Sequence, residues 1–309
     1  RPVRVAAIDC GTNSIRLLVA DVDVEAGTLV DLDRRMLIVR LGQDVDRTGR
    51  LAPDALDRTF AACEEYGAVV RDLGAQAVRF VATSASRDAS NRDVFVAGVR
   101  ERLGVEPEVV SGDEEAALSF TGAVRGLPAG SVERPTLVVD IGGGSTEVVL
   151  GDTAPFAAIS VDVGCVRMTE RHLHADPPTP GEVAAATADI DVALDRVAAA
   201  VPLEQAAGLV GLAGSVTTVA ALALGLTAYD PAAIHGARLP AADVRAWSER
   251  LLAMTHDERA ALAPMHPGRV DVIGAGVLVL RRLLDRTGLP EVVVSERDIL
   301  DGIAWSAAS

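Results

Sequence analysis

Apolar and polar positions alternate in short blocks at the start of the chain. Residues 3–8 and 15–22 are β-branched or leucine-rich runs on either side of the polar word DCGTNS, and 29–33 and 35–40 follow after Gly and Asp turns. The pattern predicts four consecutive strands in a meander. From Pro53 the period lengthens, with Leu56, Phe60, Cys63 and Ala68 at helical spacing up to residues 72–74. A strand over 77–84 running into a polar loop, a helix over 94–103, a strand in VEPEVVSG and a helix in DEEAALSFTGAVRG complete the first half.

LPAGSVERP, residues 127–135, is rich in Pro, Gly and Ser and is expected to separate a first domain, 1–126, from a second, 127–309. Beyond it the pattern predicts strands at 136–141, 146–150 and 157–163 and a helix near 179–200. Strand GLVGLAG and helix SVTTVAALALG come next, then helices at 241–254 and 268–285, a strand at 291–294 and a last helix at 297–307. Alternating strands and helices in both halves predict layered α/β domains.

The halves share a word. VVDIGGGSTEVVLGD lies over AIDCGTNSIRLLVAD, matching Asp9 with Asp140, Gly11 with Gly142 and Ser14 with Ser145. A repeat of this kind implies two similar domains, each offering a polar hairpin, and so a cleft.

Composition narrows the chemistry. A length of 309 residues suits two domains with substantial cores, and no apolar run is long enough to span a bilayer. The first residues lack a secretory signal pattern, and Cys10, Cys63 and Cys165 form no C-x-x-C pair, which points to a reducing cytoplasm. A formal charge of −15 argues against bulk nucleic-acid binding. All 29 basic residues are arginine, which excludes a Walker A lysine, a kinase strand lysine and a Schiff base. Any phosphate must be held by backbone N–H groups, arginine forks and metal ions. The five histidines show no zinc spacing and are expected at the surface or at caps.

In DIGGGSTE, Gly142, Gly143 and Gly144 permit consecutive N–H groups to close around an anion, and Ser145 adds a hydroxyl. Asp140 and Glu147 flank this loop and Asp9 flanks its counterpart, hard oxygen donors of the kind Mg²⁺ takes, although each could simply cap a turn. In VVSGDEEAALSF, Ser111 and Glu114 fit a capping box, which leaves Glu115 available as a base for water or as an ordinary first-turn acid. Arg87, in ATSASRDASNR, suits a phosphoryl oxygen or a surface ion pair. In LAGSVTTVAAL, Gly214 and Ser215 stand where a strand turns into a helix, as an anion site or as a plain N-cap.

Taken together, AIDCGTNSIRLLVADV, TSASRDA, SGDEEA, VVDIGGGSTEVV and AGSVTT resemble, in order and spacing, the motifs of the exopolyphosphatase and guanosine-pentaphosphate phosphatase family. The resemblance implies an α/β fold of two ribonuclease-H-like domains around a central cleft, as in the actin, sugar-kinase and Hsp70 superfamily. It implies Glu115 as general base with Arg87 as the other catalytic residue, and Mg²⁺, with Mn²⁺ as an alternative, at Asp140 and Glu147 with Asp9 near the metal. Asp9, Thr12, Asn13, Ser14, Arg87, Gly143, Gly144 and Ser145 would then hold the terminal phosphates. The expected substrate is inorganic polyphosphate; guanosine pentaphosphate, or a low-turnover regulator that binds either, are the alternatives, and a homodimer is expected. Longer members add helical C-terminal domains, so the resemblance is to the short form, and processivity on long chains is not implied. CGTNSIR also departs from the more frequent GSNS form while keeping hydroxyl and amide in place.

Overall fold

The word DCGTNS joins β1 (Val3–Cys10) to β2 (Ser14–Asp23) in the computed structural model, which describes residues 1–309. The two strands pair antiparallel from Val3↔Val22 to Cys10↔Ile15. β3 (Thr28–Ile38) is one strand where two were expected. Its ladder with β2 shifts register: Val19 faces Asp33 and Ala20 faces Asp31, so Leu32 is the extra residue of a bulge that lets the strand continue through the polar run.

After α1 (Val45–Thr48), α2 (Pro53–Leu73) begins with proline in its first turn and ends at Gly74, whose φ of 67° suits glycine. Its buried stripe is Ala55, Leu56, Thr59, Ala62, Cys63, Tyr66 and Gly67. Ala68, expected on that face, is exposed. Five residues beyond Cys63 is about 140° round the helix, which turns it outward. β4 (Ala77–Ala82) runs parallel to β1, and α3 (Ser84–Asp88) occupies what was expected to be loop. α4 (Arg92–Leu103) leads to β5, only Glu108–Val109, because Pro107 before it has no N–H for the ladder. α5 (Gly112–Gly126) follows, and the sheet order is β3-β2-β1-β4-β5.

β6 (Thr136–Ile141), β7 (Thr146–Gly151) and β8 (Pro155–Val161) form a second meander. α6 (Cys165–His172) and α7 (Pro180–Ala200) come next, α7 opened by a capping box between Thr179 and Glu182. β9 (Gly208–Leu212) is parallel to β6 and feeds α8 (Gly214–Ala223). Then come α9 (Pro231–Ile234), β10 (Arg238–Pro240), α10 (Ala241–Ala253), α11 (His256–Ala260), α12 (Ile273–Thr287), β11 (Glu291–Val294) and α13 (Ile299–Ala307). The second sheet runs β10-β11-β9-β6-β7-β8. Read from the meander edge, both sheets have the order third, second, first, fourth, fifth, and the second adds β10. The sequence repeat is therefore a repeat of topology.

The chain divides into Arg1–Gly122 with Ile299–Ser309, and Ala123–Asp298. This differs from the expected division at 126/127, because the last helix belongs to the first unit. β1 and β2 are apolar on both faces: Ala6, Ile8, Cys10, Ile15, Leu17 and Val19 pack in one cluster, and Val5, Ala7, Leu18, Ala20 and Val22 in another. A sheet apolar on both sides needs a cover on both. α13 supplies the second with Ile299, Leu300, Ile303, Ala304 and Trp305, each large side chain contributing about 1.5–3 kcal/mol when fully buried. Gly302 lets α13 lie close against α5, since a Cβ there would lie 2.0 Å from the carbonyl oxygen of Leu118. Asp301, almost fully buried, pairs with Arg34 of β3. No helix is long and apolar enough to cross a membrane.

Candidate active site

In the first unit the β1–β2 turn is closed by Gly11 N–H donating to Ser14 O at 3.0 Å. Its carbonyls are held from behind: Thr12 O accepts from Gly42 N–H at 2.8 Å, and Asn13 O accepts from Val39 and Arg40 N–H at 3.1 and 3.0 Å. In a trans peptide the C=O and N–H point in opposite directions. Anchoring Thr12 O therefore turns the Asn13 N–H to the open side. Gly42 must be glycine for this contact, because a Cβ there would sit 2.1 Å from Thr12 Cγ2. Thr12 and Asn13 are buried, and Asn13 Nδ2 has no hydrogen-bond partner. A buried donor left unmade costs about 1–3 kcal/mol, and Nδ2 is thus available to a ligand.

The strand ends β4 and β5 place the second element of this unit. Ser111 Oγ accepts from Glu114 N–H at 3.2 Å, the first half of the expected cap. The Glu114 carboxylate accepts from Arg79 at 2.7 Å, so its role is structural but its partner is an arginine. Glu115, one residue on, is 7% exposed and receives Arg87 Nη1 at 3.1 Å. Arg87 reaches it from α3 and also donates to Val110 O at 2.8 Å. The surface ion pair considered for Arg87 is thus replaced by a half-buried pairing with the candidate base.

In the second unit the β6–β7 turn closes on the same bond, with Gly142 N–H donating to Ser145 O at 3.0 Å. Gly142 O accepts from Cys165 N–H at 3.0 Å, Gly143 O from Val166 and Arg167 N–H at 2.9 and 3.0 Å, and Gly144 O from Arg167 Nε at 2.7 Å. Gly164 stands behind this loop as Gly42 stands behind the other, its would-be Cβ 2.4 Å from Gly143 O. Ser145 differs from expectation in one respect. Its hydroxyl donates to Glu147 Oε1 at 2.8 Å, as Ser160 does at 2.7 Å, so its single proton is committed and its N–H is the donor left to an anion.

The repeat has diverged at one pair. Asp9 faces Arg16 across the first hairpin, and the equivalent positions in the second are Asp140 facing Glu147. Residues opposed in antiparallel strands share a face. Arg16 Nη2 lies 2.8 Å from Asp9 Oδ2, so a guanidinium stands beside Asp9 where the second hairpin has a carboxylate beside Asp140. Asp140 and Glu147 are both carboxylates and both buried. No group of three or more His, Cys, Asp or Glu that could cage a metal occurs. Mg²⁺ is commonly bound by one or two carboxylates with water and phosphate completing the octahedron, so the donor set of the second unit fits it.

Gly214 and Ser215 open α8 after Ala213, whose φ of 76° and ψ of 178° lie in a region essentially reserved for glycine. The Arg269 guanidinium lies against Gly214, where a Cβ would meet it at 1.7 Å. Burial pushes the neighbouring Cys165 thiol up, against the opposing pull of Arg269 and a hydrogen bond with Ser215. Ser215 thus has a buried partner as well as a helix start. Sequence reasoning missed Arg16, Arg167, Gly42, Gly164, Ala213 and Arg269. Arg16 lay within the quoted first motif, and the glycine repeat offered no sign of the segments behind it.

Two ribonuclease-H-like domains, each with a polar hairpin whose carbonyls are turned away and whose N–H groups are presented, define a protein built to handle phosphate. The chain belongs to the Ppx/GppA phosphatase family, which matches residues 18–308. It is 54% identical over 316 aligned positions to exopolyphosphatase 2 of Mycobacterium tuberculosis, covering 99% of this chain and 98% of the relative. Among solved structures, an exopolyphosphatase-like protein superposes with a TM-score of 0.97 at 42% identity, covering 99% of this chain and 98% of that one. The Ppx/GppA family member of Aquifex aeolicus superposes with a TM-score of 0.82 at 31% identity, over 99% of this chain and 97% of that one.

Proposed function

We propose that this chain is an exopolyphosphatase that hydrolyses the terminal phosphoanhydride of inorganic polyphosphate and releases orthophosphate. The observation that carries the reading is the buried Glu115 carboxylate 3.1 Å from Arg87 Nη1. A carboxylate so held is oriented to accept a proton from water, and the guanidinium beside it suits a phosphoryl oxygen. The water oxygen bonds to the terminal phosphorus as the bridging P–O bond breaks; the proton passes to Glu115, and the shortened chain leaves as an anion. Phosphoryl transfer of this kind needs mainly positioning and charge neutralisation. Arg87 and the N–H groups of the hairpins serve those ends. Mg²⁺ bound by Asp140 and Glu147 would add charge neutralisation at phosphate oxygens.

The 5′ end of guanosine pentaphosphate carries the same anhydride, so a substrate panel separates the two. Purified protein with Mg²⁺ is given short polyphosphate, long polyphosphate, guanosine pentaphosphate and ATP, and released orthophosphate is measured. Fastest release from polyphosphate, abolished in Glu115→Gln, supports the proposal. Release from guanosine pentaphosphate alone, or equal activity in the variant, overturns it.

A further inference from the structure

Arg167 takes no part in the hydrolysis described above, yet its guanidinium is built into the glycine loop. Three successive peptide units there have their oxygens tied down: Gly142 O to Cys165 N–H, Gly143 O to Val166 and Arg167 N–H, and Gly144 O to Arg167 Nε. The N–H groups of those same units belong to Gly143, Gly144 and Ser145, and trans geometry turns all three to the side away from α6. The first two ties come from main-chain groups at the start of α6. The third, at 2.7 Å, comes from a side chain.

That third tie bears on the residue with least else to offer. The Ser145 hydroxyl is committed to Glu147, which leaves the Ser145 N–H as its donor to a ligand. The peptide unit that carries this N–H begins at Gly144, and glycine rotates between hands at little cost. We propose that Arg167 is a positioning residue that aims the Ser145 N–H at a phosphoryl oxygen by holding Gly144 O. This rests on the reading of the glycine loop as a phosphate cradle.

Gly164 supplies an independent handle on the same loop. Its φ of −166° is extended backbone open to any residue, so Gly164→Ala acts by pressing a methyl against Gly143 C and O and Gly142 O. The variant displaces the tied carbonyls without touching the guanidinium.

The test uses the full-length chain and inorganic pyrophosphate as probe. Dissociation constants by calorimetry and the ¹⁵N–¹H shift of Ser145 are measured for wild type, Arg167→Lys, Arg167→Gln and Gly164→Ala, together with KM and kcat on polyphosphate. Lysine keeps the charge and loses the planar Nε–H. A positioning role predicts that both Arg167 variants weaken binding about 10- to 100-fold, the effect of losing one hydrogen bond to a charged group. KM should rise more than kcat falls, and pyrophosphate should no longer shift Ser145. Gly164→Ala should weaken binding in the same direction, which tests the cradle apart from Arg167; where Arg167→Gln fails to fold, Arg167→Lys with its Ser145 shift decides the positioning role. Wild-type affinity and an unchanged Ser145 shift in Arg167→Lys overturn it while leaving the cradle reading intact. A wild-type chain that neither binds pyrophosphate nor releases phosphate overturns both.

Discussion

Arg87 Nη1 is shared between Glu115 Oε2 at 3.1 Å and Val110 O at 2.8 Å, so one cation ties the candidate base to the strand end before it. On the proposed reading, a phosphoryl oxygen bound at Arg87 would compete for that guanidinium and loosen its hold on Glu115. Glu115→Gln should lower kcat by roughly 10²–10⁴ with substrate binding retained. Arg87→Lys should behave almost as poorly as Arg87→Met, because a point charge does not replace the fork. Single-turnover phosphate release measures both, and an Arg87→Lys enzyme of wild-type rate would contradict the assigned geometry.

The divergence between the two hairpins gives a metal prediction. Glu147→Gln should raise the Mg²⁺ concentration for half-maximal rate by roughly 10- to 100-fold, while Arg16→Gln should leave the Mg²⁺ dependence in place. Activity titrated with MgCl₂ after chelator treatment reads this directly. Equal Mg²⁺ curves for Glu147→Gln and wild type would remove the metal from the second hairpin.

Asn13 Nδ2 is a buried donor with no hydrogen-bond partner in the fold. Asn13→Ala should therefore cost no stability and can gain about 1 kcal/mol, while KM for polyphosphate rises several-fold. Paired thermal melts and Michaelis–Menten curves check the two halves; a large fall in Tm would show that Asn13 serves the fold.

Ala213 occupies a left-handed backbone position between β9 and α8. Such strain costs about 1–3 kcal/mol, against roughly 0.5–1 kcal/mol for glycine's extra freedom in the unfolded chain. Ala213→Gly should stabilise the protein by about 1 kcal/mol, raising Tm by a few degrees. A lower Tm would mean that the turn is held by the alanine methyl.

Glu182 caps α7 by accepting from the backbone N–H groups of Thr179 and His174, which hold its carboxyl below the usual glutamate value. A lowered folded value means the cap stabilises above the unfolded value and is lost as pH falls through the folded one. Glu182→Gln should thus be less stable than wild type at pH 7, and the difference should shrink as pH falls through the lowered carboxyl value. Urea midpoints across that range decide the matter; a difference that persists in acid would contradict it.

Much of this was legible because the chain writes its meanders as apolar runs broken by short polar words. DCGTNS and DIGGGS announced the two hairpins, and their alignment announced the repeated topology. In SGDEEA the serine caps at Glu114, and the acid after it, Glu115, is the one that meets Arg87. The hidden parts depend on contacts distant in sequence. Nothing near Gly42, Gly164 or Arg167 says that each backs a loop some 20 or 30 residues earlier. Asp9 looked like Asp140 until its cross-strand neighbour was known, and Arg16 against Glu147 is a difference of pairing. The last helix was assigned by adjacency in sequence, whereas the second apolar face of β1 and β2 decided where it belonged.

That helix has a consequence for how the molecule is made. The first unit is interrupted by 176 residues, from Ala123 to Asp298, before its closing segment arrives. On a ribosome, β1 and β2 must wait with Val5, Ala7, Leu18, Ala20 and Val22 uncovered until Trp305 has been synthesised. The second unit, contiguous in sequence, can complete itself sooner. Synthesis thus exposes the older half of the chain to aggregation longest, and chaperone demand should fall on the amino-terminal sheet.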